Sequence, residues 1–174
     1  MKKTITKIDP RTFYVLLVFL AVLILPFTAH AEPAQENGIT FKDVEAKEWI
    51  LTEVRSVTSG GSVIYMDRRK LEAINMGGIY TISFSDNRAS GMGAPNRYFA
   101  PYAAGPDKTL RINNIGSTMM AAFIEPDGLK ENEYFNYLSK VFRWDLKDGK
   151  LELYSTGSNG AETVLIFDLK NQSG

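Results

Sequence analysis

The sequence predicts a mainly β (α+β) fold, in which a small curled antiparallel sheet or barrel is accompanied by one main helix. Short runs of apolar, β-branched and aromatic residues are separated by turn signals about every 8–12 residues, which is typical of sandwiches and barrels. One longer stretch, about Lys130 to Phe142, has apolar residues at helical spacing instead. The chain contains no cysteine, but about 140 residues suffice for one core without disulfides.

The first strand is predicted at Trp49–Val57, where apolar and polar side chains alternate. Ser59-Gly60-Gly61 is a turn signal, and a short second strand follows at Val63–Met66. Asp67 is suited to cap a short helix that extends through Ile74, because its carboxylate can accept hydrogen bonds from free amides in the first turn.

The middle of the chain predicts four further strands. Asp86-Asn87 has the chemistry of a tight turn. Arg88–Gly93 contains two glycines and a serine, so we expect a bulge or a close backbone approach there. The predicted strands are Ile79–Phe84, Arg97–Tyr102, Thr109–Ile112 and Ser117–Phe123.

The main helix is predicted from the spacing of Tyr134, Leu138 and Val141, a stripe that suits packing against a core. Glu131 and Glu133 lie near its positive end, where the helix dipole stabilises carboxylates. After the helix, Asp148-Gly149 favours a primed hairpin turn. The closing strands are predicted at Arg143–Leu146, Leu151–Tyr154 and Thr163–Asp168.

Residues 1–31 have the pattern of a signal peptide. A basic start is followed by an apolar run at Phe13–Leu25, by Pro26, and by Ala29-His30-Ala31, which a signal peptidase could cut before Glu32. The run is too short to span a bilayer as a straight helix, which needs roughly 20 residues. An uncleaved membrane anchor is the alternative, and it would be the chain's one contact with a membrane. We therefore expect a signal peptide at 1–31, a polar leader at 32–45, one domain at 46–170, and a periplasmic, cell-envelope or secreted location.

Charge argues against nucleic acid as a partner. Residues 1–31 hold four of the 20 basic and one of the 20 acidic residues, which leaves 16 and 19 and a net charge of −3 in the remainder. A phosphate-backbone binder needs a concentrated positive field. The one basic cluster, Arg68-Arg69-Lys70, is three residues long and is interpreted as a solvated helix face.

Residue types also argue against catalysis and cofactor binding. The sole histidine, His30, lies in the predicted cleavage site, so a serine nucleophile would lack its usual base and zinc its usual ligands. No glycine motif stands in a phosphate-binding context. Glycosidases need two opposed carboxylates. Two pairs meet this requirement by residue type alone, namely Glu125 with Asp127 and Glu131 with Glu133. The start of a helix explains both pairs better. We expect no enzyme activity, no cofactor and no metal.

Several segments, in this order, resemble the META domain family, which includes the bacterial HslJ heat-shock proteins. The resemblance covers roughly residues 46–168. It is carried by Trp49-Ile50-Leu51, Tyr80-Thr81-Ile82-Ser83-Phe84 with Ser90-Gly91, Pro95-Asn96-Arg97-Tyr98 with Tyr102, Ser117-Thr118-Met119-Met120-Ala121-Ala122, Glu133 with Leu138, and Leu151-Glu152-Leu153 through Phe167. It implies a barrel-like META fold, a link to stress tolerance or envelope maintenance, and no defined ligand.

The chain departs from this family at two positions that often hold cysteine. They are Pro95 and Ala122 here. If those cysteines pair in relatives, losing both avoids leaving a reactive thiol. The resemblance therefore implies that the Cα atoms of Pro95 and Ala122 lie within about 7 Å, the reach of a disulfide.

A candidate recognition patch is formed by Asn96, Arg97, Tyr98 and Tyr102. Aromatic side chains beside an arginine suit protein or glycan contacts. The alternative is structural: Asn96 can satisfy backbone groups in a turn, and barrel interiors also need aromatic residues.

Three functions remain open at this point. The first is an exported, non-catalytic domain that binds an unknown protein or small ligand. The second is a small-ligand carrier that uses the barrel interior, which would require a continuous apolar cavity of about 300 Å³ or more. The third is a carboxylate-dependent hydrolase with two facing acids in a cleft.

Overall fold

The computed structural model describes residues 38–57, 60–121, 126–157 and 160–170. Within these ranges the chain forms ten strands, two α-helices and a 3-10 turn at Phe41–Asp43. The strands are β1 (Glu48–Ser56), β2 (Val63–Tyr65), β3 (Thr81–Ser85), β4 (Arg88–Met92), β5 (Arg97–Ala104), β6 (Leu110–Ile112), β7 (Gly116–Ser117), β8 (Val141–Lys147), β9 (Lys150–Thr156) and β10 (Glu162–Leu169). The helices are α1 (Arg68–Ala73) and α2 (Glu131–Ser139).

The strands form one antiparallel sheet that curls into a nearly closed barrel. Their order is β6-β5-β4-β3-β1-β10-β9-β8, with β2 added to β1 and β7 added to β5. The two ends of this path meet, because Thr109 bridges Arg143 and the Trp144 amide donates to the Lys108 carbonyl at 2.9 Å. The predicted curled or barrel-like sheet is confirmed.

Strand alternation fills the interior of the barrel. In β5, for example, Tyr98, Ala100 and Tyr102 are buried, whereas the side chains between them are exposed. The largest fully buried side chains are Trp49, Tyr80, Tyr134, Phe84, Phe167, Leu51, Ile82, Leu110, Ile112, Leu129, Leu138 and Leu151. These side chains come from strands around the barrel, from α2 and from the residues just before β3 and α2, and they belong to one continuous core.

The main helix is confirmed, but it is shorter than predicted. Helix α2 ends at Ser139, and Lys140 already has a non-helical backbone. Tyr134 and Leu138 are buried as expected. Val141 instead starts β8 and pairs with Ser155 of β9. The pattern is misleading here because a buried strand that directly follows a helix adds apolar residues to the same stripe.

Local turn and glycine signals are confirmed. Asp148 and Gly149 both have positive φ, 51° and 76°, as a primed turn between β8 and β9 requires. At Gly91 in β4 a Cβ atom would collide with the Thr81 carbonyl oxygen, so the predicted close approach is present. The strand predicted at Ser117–Phe123 is wrong in extent, because β7 ends at Ser117; residues 122–125 lie outside the described residues.

The packed domain includes part of the predicted leader. Val44 is fully buried, and its carbonyl accepts a hydrogen bond from Trp49 Nε1 at 3.0 Å. Phe41 packs edge-on against Phe84 and Trp144, with ring centroids 5.1 Å apart in each pair. These contacts place the start of the core before residue 46. Helices α1 and α2, and the rest of the described chain, include no helix with the length and apolar character that crossing a membrane requires.

Candidate functional site

The structure separates the four residues of the predicted recognition patch. Arg97 is exposed, whereas Asn96, Tyr98 and Tyr102 are 6%, 2% and 8% exposed. The prediction that all four side chains form one surface patch is therefore wrong. The physical reason is the two-residue period of β5, which turns alternate side chains to opposite faces of the sheet.

Asn96 joins three segments of the chain from inside the domain. Its Oδ1 accepts hydrogen bonds from the Met120 amide at 2.7 Å and the Thr118 hydroxyl at 2.9 Å. Its Nδ2 donates to Glu131 Oε2 at 2.6 Å. The structural interpretation of Asn96 is supported, although most of its partners are distant in sequence rather than in a local turn.

Glu131 completes this connection, and sequence reasoning missed its role. Its Oε1 accepts from the backbone amides of Ala94 and Asn96 at 2.6 and 2.7 Å. The carboxylate therefore fastens the start of α2 to the loop between β4 and β5. Its position near a helix start indicated a dipole interaction but carried no signal of this distant contact.

The two buried tyrosines of β5 make structural hydrogen bonds. Tyr98 donates to the Thr81 carbonyl at 2.8 Å, and its hydroxyl lies 3.2 Å from that of Tyr134. Burial, reinforced by Tyr134, raises the pKa of Tyr98 well above its ordinary value. Tyr102 donates to Glu45 Oε1 at 2.6 Å, and burial followed by this hydrogen bond raises its pKa also. Both phenols stay protonated at neutral pH and hold neighbouring segments together.

The filled interior counts against the carrier hypothesis. Tyr80 and Tyr134 are fully buried with ring centroids 5.1 Å apart, and the Tyr80 hydroxyl donates to the Leu129 carbonyl at 2.5 Å. Aromatic side chains thus occupy the volume that a ligand inside the barrel would need.

The carboxylates that were considered as catalytic pairs have other positions. Glu131 is held in the contact just described, and Glu133 accepts a hydrogen bond from the Lys130 amide at 3.1 Å at the start of α2. Asp127 is exposed, and Glu125 lies outside the described residues. Across residues 38–57, 60–121, 126–157 and 160–170 no three potential metal-ligating side chains cluster together.

A groove of about 440 Å³ lies on the outer face of β3, β4 and β5. We call it the outer groove. Its lining residues are Glu48, Thr81, Ser83, Arg88, Ser90, Gly91, Met92, Arg97, Tyr98 and Phe99. Arg97 is the one exposed member of the predicted patch, and here it is joined by two exposed residues that sequence reasoning did not single out, Arg88 and Phe99.

Strand register builds the outer groove. Ser83 pairs with Ser90, and Ser90 pairs with Phe99, so these three side chains form one row across the sheet. The two serine hydroxyls lie 3.3 Å apart. Because the two serines are small and Phe99 is large, the surface is lower over the serines than at the aromatic ring.

The two arginines flank Phe99 along the strands. Arg97 is two residues before Phe99 on β5, and Arg88 pairs with Pro101, which is two residues after it. The Arg88 guanidinium carbon is 5.5 Å from the centre of the Phe99 ring, within range of a cation–π contact. Phe99 is 54% exposed. An aromatic side chain between two exposed arginines is a composition typical of binding surfaces.

Comparison with known proteins agrees with this architecture. A family model described as META domain matches residues 42–170. An NMR structure of a protein from Burkholderia xenovorans is similar, with a TM-score of 0.56, 22% identity, and coverage of 85% of this chain and 100% of that one. A crystal structure of a DUF4847 family protein from Bacteroides vulgatus has a TM-score of 0.51 and 14% identity over 76% and 99% of the two chains. At these identities the structures support the fold alone. No curated protein matches.

The resemblance also predicts a short distance between Pro95 and Ala122. Ala122 lies outside the described residues, so this distance stays a prediction. Two residues earlier, the Met120 amide donates to Asn96 Oδ1, which brings the two segments together next to these positions.

Proposed function

The chain belongs to the META domain family, and from this premise we propose that it is an exported, non-catalytic binding protein of the cell envelope. In this proposal the barrel is a rigid scaffold, and the outer groove contacts the partner. A contribution to envelope maintenance or stress tolerance would follow from that contact.

Export is supported by the N-terminal sequence. The basic start, the apolar run at Phe13–Leu25 and the Ala29-His30-Ala31 triplet have the order of a signal peptide. A mature chain that starts at Glu32 contains no cysteine. It would therefore fold outside the cytoplasm without forming disulfides.

The non-catalytic part of the proposal is supported by how the acidic groups are used. Glu131 and Glu133 bind backbone amides around the start of α2. Asp145 and Glu152, which lie on the β8–β9 hairpin, pair with Lys108 and Lys147. Each of these carboxylates has a structural partner, and general acid–base chemistry needs such a group to face a substrate.

The observation that carries the binding proposal is the pair of arginines on the outer groove. Arg88 and Arg97 flank a half-exposed Phe99 above a row of serine hydroxyls. Such a surface can combine charge-assisted hydrogen bonds with apolar contact.

The proposal is tested by affinity capture from envelope extracts with residues 32–174 as bait. The native sequence is compared with Arg97→Glu in the outer groove and Arg69→Glu on α1, an exposed arginine outside the groove. We expect the partner to be lost with Arg97→Glu and kept with Arg69→Glu. Equal capture by all three baits would contradict the proposed binding surface.

Export has its own test. The full chain is expressed in a bacterium, fractionated and examined by mass spectrometry of its N-terminus. We expect a product in the envelope or periplasmic fraction that begins at Glu32. An intact chain in the cytoplasm would contradict export without affecting the binding surface.

A further inference from the structure

We infer that the outer groove binds an extended segment of an acidic polypeptide, in which two carboxylates flank one apolar side chain. This inference rests on the proposed function and specifies the chemistry of the partner.

The first support is uncompensated positive charge. Neither Arg88 nor Arg97 has a carboxylate within ion-pair distance among the described residues. Elsewhere on the barrel several lysines are matched with acids, as in the pairs Lys108–Asp145, Lys147–Glu152, Lys150–Asp168 and Lys170–Glu48. The outer groove thus has two guanidinium groups free to form bidentate contacts with carboxylates.

The second support is the spacing of the arginines. Arg97 and Pro101 are four residues apart on β5, and Arg88 pairs with Pro101. The backbone positions of the two arginines are therefore about 13 Å apart along the strand direction. An extended ligand has the same rise per residue, so acidic side chains at its positions i and i+4 match this distance. Its residue at i+2 points the same way and meets Phe99.

The third support is the centre of the groove. Ser83 and Ser90 supply hydroxyls on short side chains within the groove lining. A ligand backbone could approach closely here and exchange hydrogen bonds with the hydroxyls. Glu48 also lines the groove, but its charge is paired with Lys170 at 2.8 Å, which reduces its repulsion of an acidic ligand.

The small number of basic residues in the outer groove favours an acidic peptide over an anionic membrane as its ligand. Recognition of anionic lipid surfaces uses clusters of about 4–8 basic residues. The outer groove has two, on a chain whose charge beyond residue 31 is −3. Two positive groups at a defined distance suit two carboxylates on one strand better than an extended negative surface.

The test uses a fluorescently labelled peptide, acetylated and amidated, with the core Glu-Ser-Leu-Ser-Glu, and residues 32–174 of the protein. Binding is measured by fluorescence anisotropy. The matched peptides are Gln-Ser-Leu-Ser-Gln, which lacks the charges, and Glu-Glu-Leu-Ser-Ser, which keeps the charges at the wrong spacing. The protein variants are Arg88→Gln, Arg97→Gln and, as the control outside the groove, Arg69→Gln.

We expect the Glu-Ser-Leu-Ser-Glu peptide to bind most tightly. Each groove substitution should weaken binding about three- to tenfold, the range of a solvent-accessible charged contact, and Arg69→Gln should leave it unchanged. Because these contacts are exposed, raising NaCl from about 0.05 to 0.5 M should weaken binding strongly. All three variants replace exposed side chains, and thermal unfolding will verify that they fold.

Three results would overturn the inference. Equal binding of the glutamate and glutamine peptides would reject an acidic ligand, and equal binding of Arg88→Gln, Arg97→Gln and native protein would reject the groove as its site. Arginine-dependent binding to vesicles of phosphatidylglycerol and phosphatidylcholine, without peptide binding, would assign the groove to a membrane. If capture from extracts still depends on Arg97 after any peptide failure, the proposed binding function stands and the ligand class alone is wrong.

Discussion

At the scale of single residues, a partly buried carboxylate and a buried carbonyl oxygen organise the positions that looked functional in the sequence. Glu131 fixes the β4–β5 loop through the amides of Ala94 and Asn96. The Thr81 carbonyl accepts hydrogen bonds from both Tyr98 and Tyr134. These contacts hold β5 in place, and with it the outward-facing Arg97.

Replacing Glu131 with glutamine should lower the free energy of unfolding by about 2 kcal/mol, because a carboxylate that accepts several hydrogen bonds becomes a neutral amide whose NH₂ group faces donors. The measurement is urea unfolding followed by circular dichroism. Glu133→Gln on the same helix is the matched control and should cost about 0.5 kcal/mol, because Glu133 is exposed and accepts one backbone hydrogen bond. Equal losses in the two variants would contradict the central role of Glu131.

Replacing Gly91 with alanine should lower the free energy of unfolding by about 2–3 kcal/mol through overpacking. The added methyl group would collide with the Thr81 carbonyl oxygen and would come within 3.1 Å of the Tyr98 ring. That carbonyl is held by two tyrosine hydroxyls and cannot move without breaking their hydrogen bonds. Gly78→Ala is the control, because nothing lies within 4 Å of a Cβ there. A Gly91→Ala protein with native thermal stability would show that the strand can shift.

At the scale of elements, the β8–β9 hairpin forms an outer face that is covered by its own long side chains. The Arg143 guanidinium carbon lies 3.4 Å from the centre of the Tyr154 ring. Lys147 Nζ donates to Tyr154 Oη at 2.8 Å and to Glu152 Oε2 at 2.9 Å. These charged groups shield an aromatic side chain on the outside of the barrel while their ends remain in water.

The same hairpin predicts part of the acid sensitivity of the fold. Burial by itself would raise the pKa of Asp145, but hydrogen bonds from Lys108 and the Leu146 amide, with the charge of Lys147, lower it below its ordinary value of 3.8. A carboxyl whose pKa is lowered by folding stabilises the native state above its unfolded pKa, and this contribution is lost as the pH falls through the folded pKa. Stability should therefore decline below about pH 5.

Asp145→Asn tests this expectation. We expect the free energy of unfolding of the variant to be about 2 kcal/mol lower than that of the native protein at pH 7, and this difference to shrink as the pH falls toward 2. Urea unfolding at several pH values measures both. Asp168→Asn, which removes an exposed pair with Lys150, should cost about 0.5 kcal/mol or less at pH 7. A constant difference from pH 7 to pH 2 would contradict the assignment of the acid dependence to Asp145.

Local patterns predicted elements better than their ends. Two-residue alternation located β1, and the Asp148-Gly149 signal located the β8–β9 turn. The predicted end of α2 was too late because an apolar residue such as Val141 suits a buried helix face and a buried strand equally well. The pairing of Val141 with Ser155 assigns it to β8. That pairing depends on a strand that comes later in the sequence.

At the scale of the whole molecule, the sheet closes through a short seam. Strands β6 and β8 meet at the Thr109–Arg143 bridge and at the hydrogen bond from the Trp144 amide to Lys108. By contrast, β1 and β10 pair over most of their length, from Trp49 with Leu169 to Ser56 with Thr163. A seam with few hydrogen bonds should open more easily than a long ladder.

Native-state hydrogen exchange should detect this difference. We expect the Trp144 amide to exchange at least about tenfold faster than the Leu165 amide, whose strand is paired on both sides by β1 and β9. NMR-detected exchange at neutral pH measures both rates in one experiment. Equal protection at the two amides would show that the seam opens only when the whole barrel unfolds.

Charge and residue composition determined much of the functional reasoning by themselves. The absence of cysteine, the single histidine in the N-terminal segment and the net charge of −3 beyond residue 31 predict a binding role rather than metal, thiol or nucleic-acid chemistry, and this stays a prediction. The ordered segments between Trp49 and Phe167 resemble the META family, and the match of the family model to residues 42–170 confirms this. These properties depend on which residues are present and in what order, so they can be read without coordinates.

The tertiary structure decided which residues share a surface. It placed Asn96 and Tyr98 inside the domain, kept Arg97 outside, and brought Arg88 and Phe99 beside Arg97 across two paired strands. Strand order and register determine such neighbours, and they follow from how the complete set of apolar faces packs into one core. A linear pattern shows which face of a strand is apolar, whereas only the closed barrel shows which strands lie next to one another.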